Sequence, residues 1–209
     1  ILGYVLAHQE RYKEAEPLFV QVAATDPPNL WLWANWGELL SMQGRKDEAI
    51  KKYREAVTRP PTRNGYDLAR QDAYRNLFNL LKDKNNLDGL EALYKQRAQE
   101  YPNAACHGVE YARFLVIQRA DDAGSTAILR DVPSPQCDNA RTREVQGLVH
   151  YVRWSRADPA GRAEALPQAR AFLPLGPRLF YALASSDRSV PVAQQLIAAG
   201  DKIDVQDNS

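Results

Sequence analysis

The sequence predicts an all-α protein, an α-solenoid of stacked antiparallel helix hairpins, and three observations carry that reading. Residues 3–27 and 37–61 align without a gap at an offset of 34, a period at which solenoid repeats occur. Apolar residues recur at helical spacing along the chain, and only 202–205 alternates in the way a strand would. Gly44 falls between two of those helical runs, and Pro60 and Pro61 at the end of one, where a turn and a stop are required.

At the 34-residue offset Gly3 meets Gly37, Leu6 meets Leu40, Gln9 meets Gln43, Arg11 meets Arg45, Glu14 meets Glu48, Ala15 meets Ala49, Phe19 meets Tyr53 and Pro27 meets Pro61. Leu32, Trp33, Trp36, Leu39 and Leu40 mark one amphipathic helix, and Ala49, Ile50, Tyr53, Ala56 and Val57 a second. Gly37 and Ala49 are small where two helix axes must come close, and Tyr53 is large enough to fill the space beside them. Gly44 and Arg45 make the turn, and Pro60 and Pro61 stop the second helix. A third unit follows at about 71–104, with Tyr74, Leu77, Leu81, Leu90, Tyr94 and Pro102 in place and Phe78 and Leu90 replacing small residues. Bulkier contacts there predict a locally irregular superhelix. A fourth, 105–132, places Tyr111, Ala112, Leu115, Gly124 and Ile128 and ends at Pro133 and Pro135. A degenerate hairpin spans 140–175, its second helix opened by Asp158 and Pro159 and continuing past Pro167.

Residues 1–63 resemble tetratricopeptide repeats, on Trp33, Gly37, Ala49, Tyr53 and Pro61 in one unit and Leu2, Gly3, Leu6, Ala15, Phe19 and Pro27 in the other. Trp36 and Leu40 depart from the usual leucine and tyrosine. The first unit's opening positions precede Ile1, so the chain reads as a fragment that begins inside a repeat. Residues 176–209 change character: Val192, Leu196, Ile197, Ala199, Gly200, Asp201, Ile203, Asp204, Val205 and Asp207 resemble the second half of an ankyrin repeat and its outgoing arm. Arg178, Leu179 and Phe180 stand where that family has its Thr-Pro-Leu-His opening. An ankyrin-like unit and a generic capping hairpin both remain open for this segment.

Composition narrows the function. In 209 residues, 27 Lys and Arg against 26 Asp and Glu leave a net charge of +1, with no bulk excess to draw nucleic acid or an anionic membrane. The longest apolar runs are far short of the roughly 18 residues of a membrane span. Cys106 and Cys137 are too few for a disulfide framework and lack metal-ligand spacing, which leans the localisation to the reducing cytoplasm. His8, His107 and His150 lie far apart, and no nucleophile, base and orienting group converge. Without a Gly-rich phosphate loop, no cofactor is implied and the chain reads as no enzyme. One stretch, 141–178, is basic, with seven arginines against three acids, and reads as a solvated helix face.

The tetratricopeptide resemblance implies a right-handed superhelix whose concave groove is lined by the first helix of each unit, and it implies protein or peptide partners. Carried over position by position, the groove is Tyr4 in the first unit and Trp31, Ala34, Asn35, Glu38, Ser41 and Met42 in the second. The third contributes Asp72, Arg75, Asn76, Asn79 and Lys82, and the fourth Cys106, Val109, Glu110 and Arg113. Trp31 stands opposite its helix's packing residues, as a binding anchor would. Family members that clamp carboxylate tails place lysine and arginine where this chain has Asp72 and Asn76, so that ligand class is disfavoured. Helical-repeat RNA binding expects a basic groove, and these units have no positive excess. The function expected is a scaffold binding a peptide or protein segment. The alternative is a regulatory or substrate-recruiting arm of a larger enzyme. Oligomeric state is open.

Overall fold

The computed structural model describes residues 2–26, 29–59, 68–101, 104–131, 137 and 139–199. Among these every regular element is helical: α1 (Leu2–His8), α2 (Tyr12–Thr25), α3 (Leu30–Met42), α4 (Lys46–Thr58), α5 (Leu68–Asp83), α6 (Leu87–Glu100), α7 (Ala105–Phe114) continued by a π-turn (Leu115–Arg119), α8 (Asp122–Asp131), α9 (Asn139–Arg156), α10 (Pro159–Phe172), α11 (Pro177–Ala184) and α12 (Val190–Ala198). The protein is an all-α helical-repeat protein. It divides into two compact units, Ile1–Leu90 and Glu91–Ser209.

The turn of each of the first four hairpins is built the same way. One residue takes the left-handed conformation, Glu10 (φ 60°), Gly44 (φ 72°), Asn85 (φ 49°) and Ala120 (φ 53°), which reverses the chain in a single step. The next amide then donates back to a leucine carbonyl: Arg11 to Leu6, Arg45 to Leu40 and Asn86 to Leu81, all at 2.9 Å, and Asp121 to Leu115 at 3.0 Å. In the fourth turn the bond reaches one residue further, because the π-turn has inserted a residue ahead of it. The register after each turn follows. Five residues beyond the left-handed residue stand Ala15, Ala49, Leu90 and Ser125, all buried. The fourth unit's small residue is therefore Ser125. Gly124, expected there from the sequence, sits beside the Asp121 carboxylate, which accepts its amide at 2.8 Å.

In the first unit the close approach comes from glycine against a ring. A Cβ added to Gly37 would lie 2.7 Å from the Tyr53 ring, and one added to Gly3 would lie 3.1 Å from Phe19. Ala15 and Ala49 are fully enclosed beside these contacts. Tyr53, unlike Phe19, carries a hydroxyl, which accepts a hydrogen bond from Asn76 of α5 at 3.1 Å and so ties the second hairpin to the third. Between turns, Arg45 reaches Glu48 and Glu16, both at 2.7 Å, and Lys46–Asp83 (2.9 Å) and Lys84–Asp47 (2.8 Å) cross from the second turn to the third. Helix α5 starts at Leu68, earlier than the apolar pattern predicts. Its buried Arg70 donates to the carbonyl oxygens of Val57 (2.7 Å) and Arg59, placing a cation at the C-terminus of α4 where the helix dipole favours one.

In the second unit α9 is the central element: Val145, Leu148, Val149, Tyr151, Val152 and Trp154 are all buried. Gly147 packs against Leu173 with no room for a side chain, and the Tyr151 hydroxyl donates to the Leu173 carbonyl at 2.9 Å. Asp158 caps α10 as the sequence implies, accepting the Gly161 amide at 2.7 Å, and the helix runs through Pro167. The basic stretch is engaged internally. Arg153 and Arg156 both bind Asp122, at 2.8 and 2.7 Å, and Arg113 and Arg178 converge on the nearly buried Glu144. Arg162 reaches the Ser155 carbonyl and the side chain of Gln195 on α12. Helices α11 and α12 occupy the C-terminal segment, and a short helix pair is common to the capping and ankyrin-like readings. Pro27, Pro60, Pro61, Pro102, Pro133, Pro135, Gly200 and the 201–209 arm lie outside the described residues.

Cys106 and Cys137 form a disulfide, with Cα atoms 4.9 Å apart and a sequence separation of 31. The bond fastens the start of α7 to the segment preceding α9, and Cys137 is buried in the second unit's core. A loop of this length closed in the unfolded chain is worth about 3 to 4 kcal/mol. Reduction, or a Cys137→Ser substitution, is expected to lower the stability of the second unit by about that amount in denaturant titrations. An unfolding midpoint that does not move on reduction contradicts this role.

Candidate functional site

Helix α3 has two kinds of surface. Leu32, Ala34, Trp36, Gly37, Leu39 and Leu40 are buried against neighbouring helices, whereas Trp31 is exposed and Asn35 and Glu38 are partly exposed. Asn29 starts the helix, its Oδ1 accepting the Leu32 amide at 3.3 Å while its Nδ2 donates to Asp26 at 3.0 Å. Two residues on, Trp31 is left 49% exposed, whereas Trp36 is 8% exposed and Trp154 3%. A large aromatic surface left in water is costly for the free protein and useful to a partner that covers it.

Trp31 forms one wall of a cleft of about 610 Å³ in the first unit. Gly3 and Tyr4 of α1, Leu18, Phe19 and Val22 of α2, and Asn29, Leu32, Asn35 and Glu38 at α3 complete it, with Asp72 of α5 at its edge. Five residues expected from the sequence, Tyr4, Trp31, Asn35, Glu38 and Asp72, thus line one cleft. The apolar floor from α2 was not expected, because the family's groove positions fall on first helices only. Leu18 and Val22 stand one helical turn apart on α2, and nothing in the sequence assigned them to this side.

The other expected positions are placed differently. Arg75 is exposed and pairs with Asp72 at 2.6 Å. Asn76 is half-buried with an amide proton on Tyr53, and Asn79 is exposed; neither lines the cleft. Ala34 and Val109, read as groove positions, are buried, and Val109 belongs to the second unit's core. Glu110 and Arg113 also lie in the second unit. Glu110 is close to His107 (3.9 Å), Arg97 (3.5 Å) and Arg141 (3.6 Å); His107 first, then the arginines, hold its carboxyl below the usual carboxylate range against the effect of burial. Arg113 is on Glu144, and Cys106 is in the disulfide.

The three histidines occupy separate environments. His8 lies against Tyr4 and 3.6 Å from Glu38, His107 stands edge-on to Tyr101, and His150 stacks on Phe172. Burial first, and then Arg153, lowers the His150 pKa. Among the described residues no group of three or more His, Cys, Asp and Glu is arranged to hold a metal, and no helix is long and apolar enough to cross a membrane.

A repeated helix hairpin with a ring against glycine and a left-handed turn defines a helical-repeat fold. Residues 6–61 match the tetratricopeptide repeat family. Repeats of this kind generally mediate contacts between proteins and are typically non-catalytic. No curated protein matches the chain.

Proposed function

We propose that the chain is a non-catalytic scaffold that binds a peptide or protein segment in the cleft of its first unit. The observation that carries this reading is the half-exposed Trp31 beside an apolar floor, with the polar groups of Asn35, Glu38 and Tyr4 within the same cleft. A flat aromatic supplies contact area at small entropic cost, and the amide of Asn35 offers both a donor and an acceptor to a peptide backbone. Arg153 and Arg156 are engaged with Asp122 and have no part in this site.

The disulfide bears on compartment. Such bonds persist where the surroundings are oxidising, so we place the chain in an oxidising compartment rather than in the cytoplasm.

Two experiments test these readings. Trp31→Ala is expected to weaken capture of a native partner by about 2 kcal/mol with the helical spectrum unchanged, while neutral replacements of Arg153 and Arg156 leave capture intact. Partners that survive Trp31→Ala and are lost with the arginines would move the site to the second unit. For the compartment, thiol alkylation of protein taken from its host is expected to leave Cys106 and Cys137 unmodified until a reductant is added. Ready alkylation before reduction counts against it.

A further inference from the structure

The cleft has a sign. Among its lining residues the charged side chains are Glu38 and Asp72, with no lysine or arginine, and Asp26 stands just beyond, bonded to Asn29. The neighbouring cations do not cancel this. Arg75 is bound to Asp72 across three residues of one helix, with its side chain 68% exposed, and an exposed pair of that kind is worth little and yields readily to a ligand cation. His8 stands beside Glu38, at 3.6 Å. At the start of α3, where free amides would favour an anion, Asn29 Oδ1 already accepts the Leu32 amide. Glu38 is partly sheltered by the cleft wall, where the effective dielectric is lower than in water and a charge contact is correspondingly stronger.

We propose, on the reading that this cleft binds a polypeptide segment, that its occupant is a cationic amphipathic segment of a partner protein. Its lysine or arginine meets Glu38 and Asp72, and its apolar side chains cover Trp31, Leu18 and Val22. A guanidinium suits this place twice over, since it can pair with a carboxylate and lie on the face of Trp31 or Tyr4. An acidic segment would instead bring like charges into the cleft and leave them unpaired.

Selection from a random-peptide display library tests the proposal on the intact chain. Wild type, Trp31→Ala and the pair Glu38→Lys with Asp72→Lys are used side by side, each checked for an unchanged helical spectrum. Wild type is expected to enrich peptides with Lys or Arg next to apolar residues, Trp31→Ala to lose them, and the charge-reversed protein to enrich acidic residues instead. For a selected peptide, exchanging its Lys or Arg for Gln is expected to weaken binding roughly tenfold on wild type and little on a protein carrying Glu38→Gln and Asp72→Asn. Enrichment that ignores charge, or favours acidic peptides, yet depends on Trp31 overturns the cationic occupant while leaving the cleft as the binding site. Cationic peptides indifferent to all of these substitutions place the contact elsewhere and overturn both readings, as does a failure to enrich any peptide.

Discussion

The first unit depends on the contact between a glycine on one helix and an aromatic ring on the next. Gly37 lies against the ring of Tyr53 at a distance that excludes even a methyl group, and Gly3 meets the Phe19 ring a little less tightly one repeat earlier. This contact fixes how close α3 and α4 come, and with it which face of α3 is used up in packing. Leu32, Trp36, Leu39 and Leu40 follow Gly37 into the interior. Trp31, Asn35 and Glu38 are left on the open side, so the cleft is a consequence of the hairpin geometry. The Tyr53 hydroxyl extends the effect by bonding Asn76, which ties α5 to the second hairpin; Asp72, on the same helix, lies at the cleft edge.

Arginine is the second organising element. Arg45 bridges two hairpins through Glu16 and Glu48, Arg70 satisfies carbonyls at the end of α4, and in the second unit Arg153 and Arg156 share Asp122 while Arg113 and Arg178 share Glu144. The planar guanidinium has several donors in fixed directions, which suits contacts that join helices distant in sequence. Much of the excess of arginine between residues 141 and 178 is thereby engaged in internal pairing.

Local features of the chain were legible in the sequence to the extent that they repeat. The offset of 34 identified Gly37, Ala49 and Tyr53 as a packing set, Gly44 as the turn, and Trp31 as the outward aromatic, because each is a matter of period and side-chain size. Glu10, Asn85 and Ala120 adopt the same left-handed turn as Gly44 without being glycine, so residue type alone did not reveal them. The π-turn shifted the register of the fourth unit by one, and a shift of one residue is invisible when the apolar pattern is already weak; Gly124 was taken for the position that Ser125 fills. Contacts between distant residues were beyond reach for the same reason. Arg70 on the carbonyls of α4, Leu18 and Val22 in the cleft floor, and the bond between Cys106 and Cys137 depend on how helices meet, which spacing along one helix does not encode.

A double-mutant cycle on Gly37 and Tyr53 tests most directly the claim that a ring against glycine sets the hairpin. Gly37→Ala, Tyr53→Leu and the double variant are compared with wild type in denaturant unfolding. If the contact is as described, Gly37→Ala costs about 1 to 3 kcal/mol in the wild-type background and much less once the ring is gone, so the two substitutions are strongly non-additive. Additive costs, with Gly37→Ala equally harmful beside leucine, would show that the glycine is not held by the ring and would contradict the account.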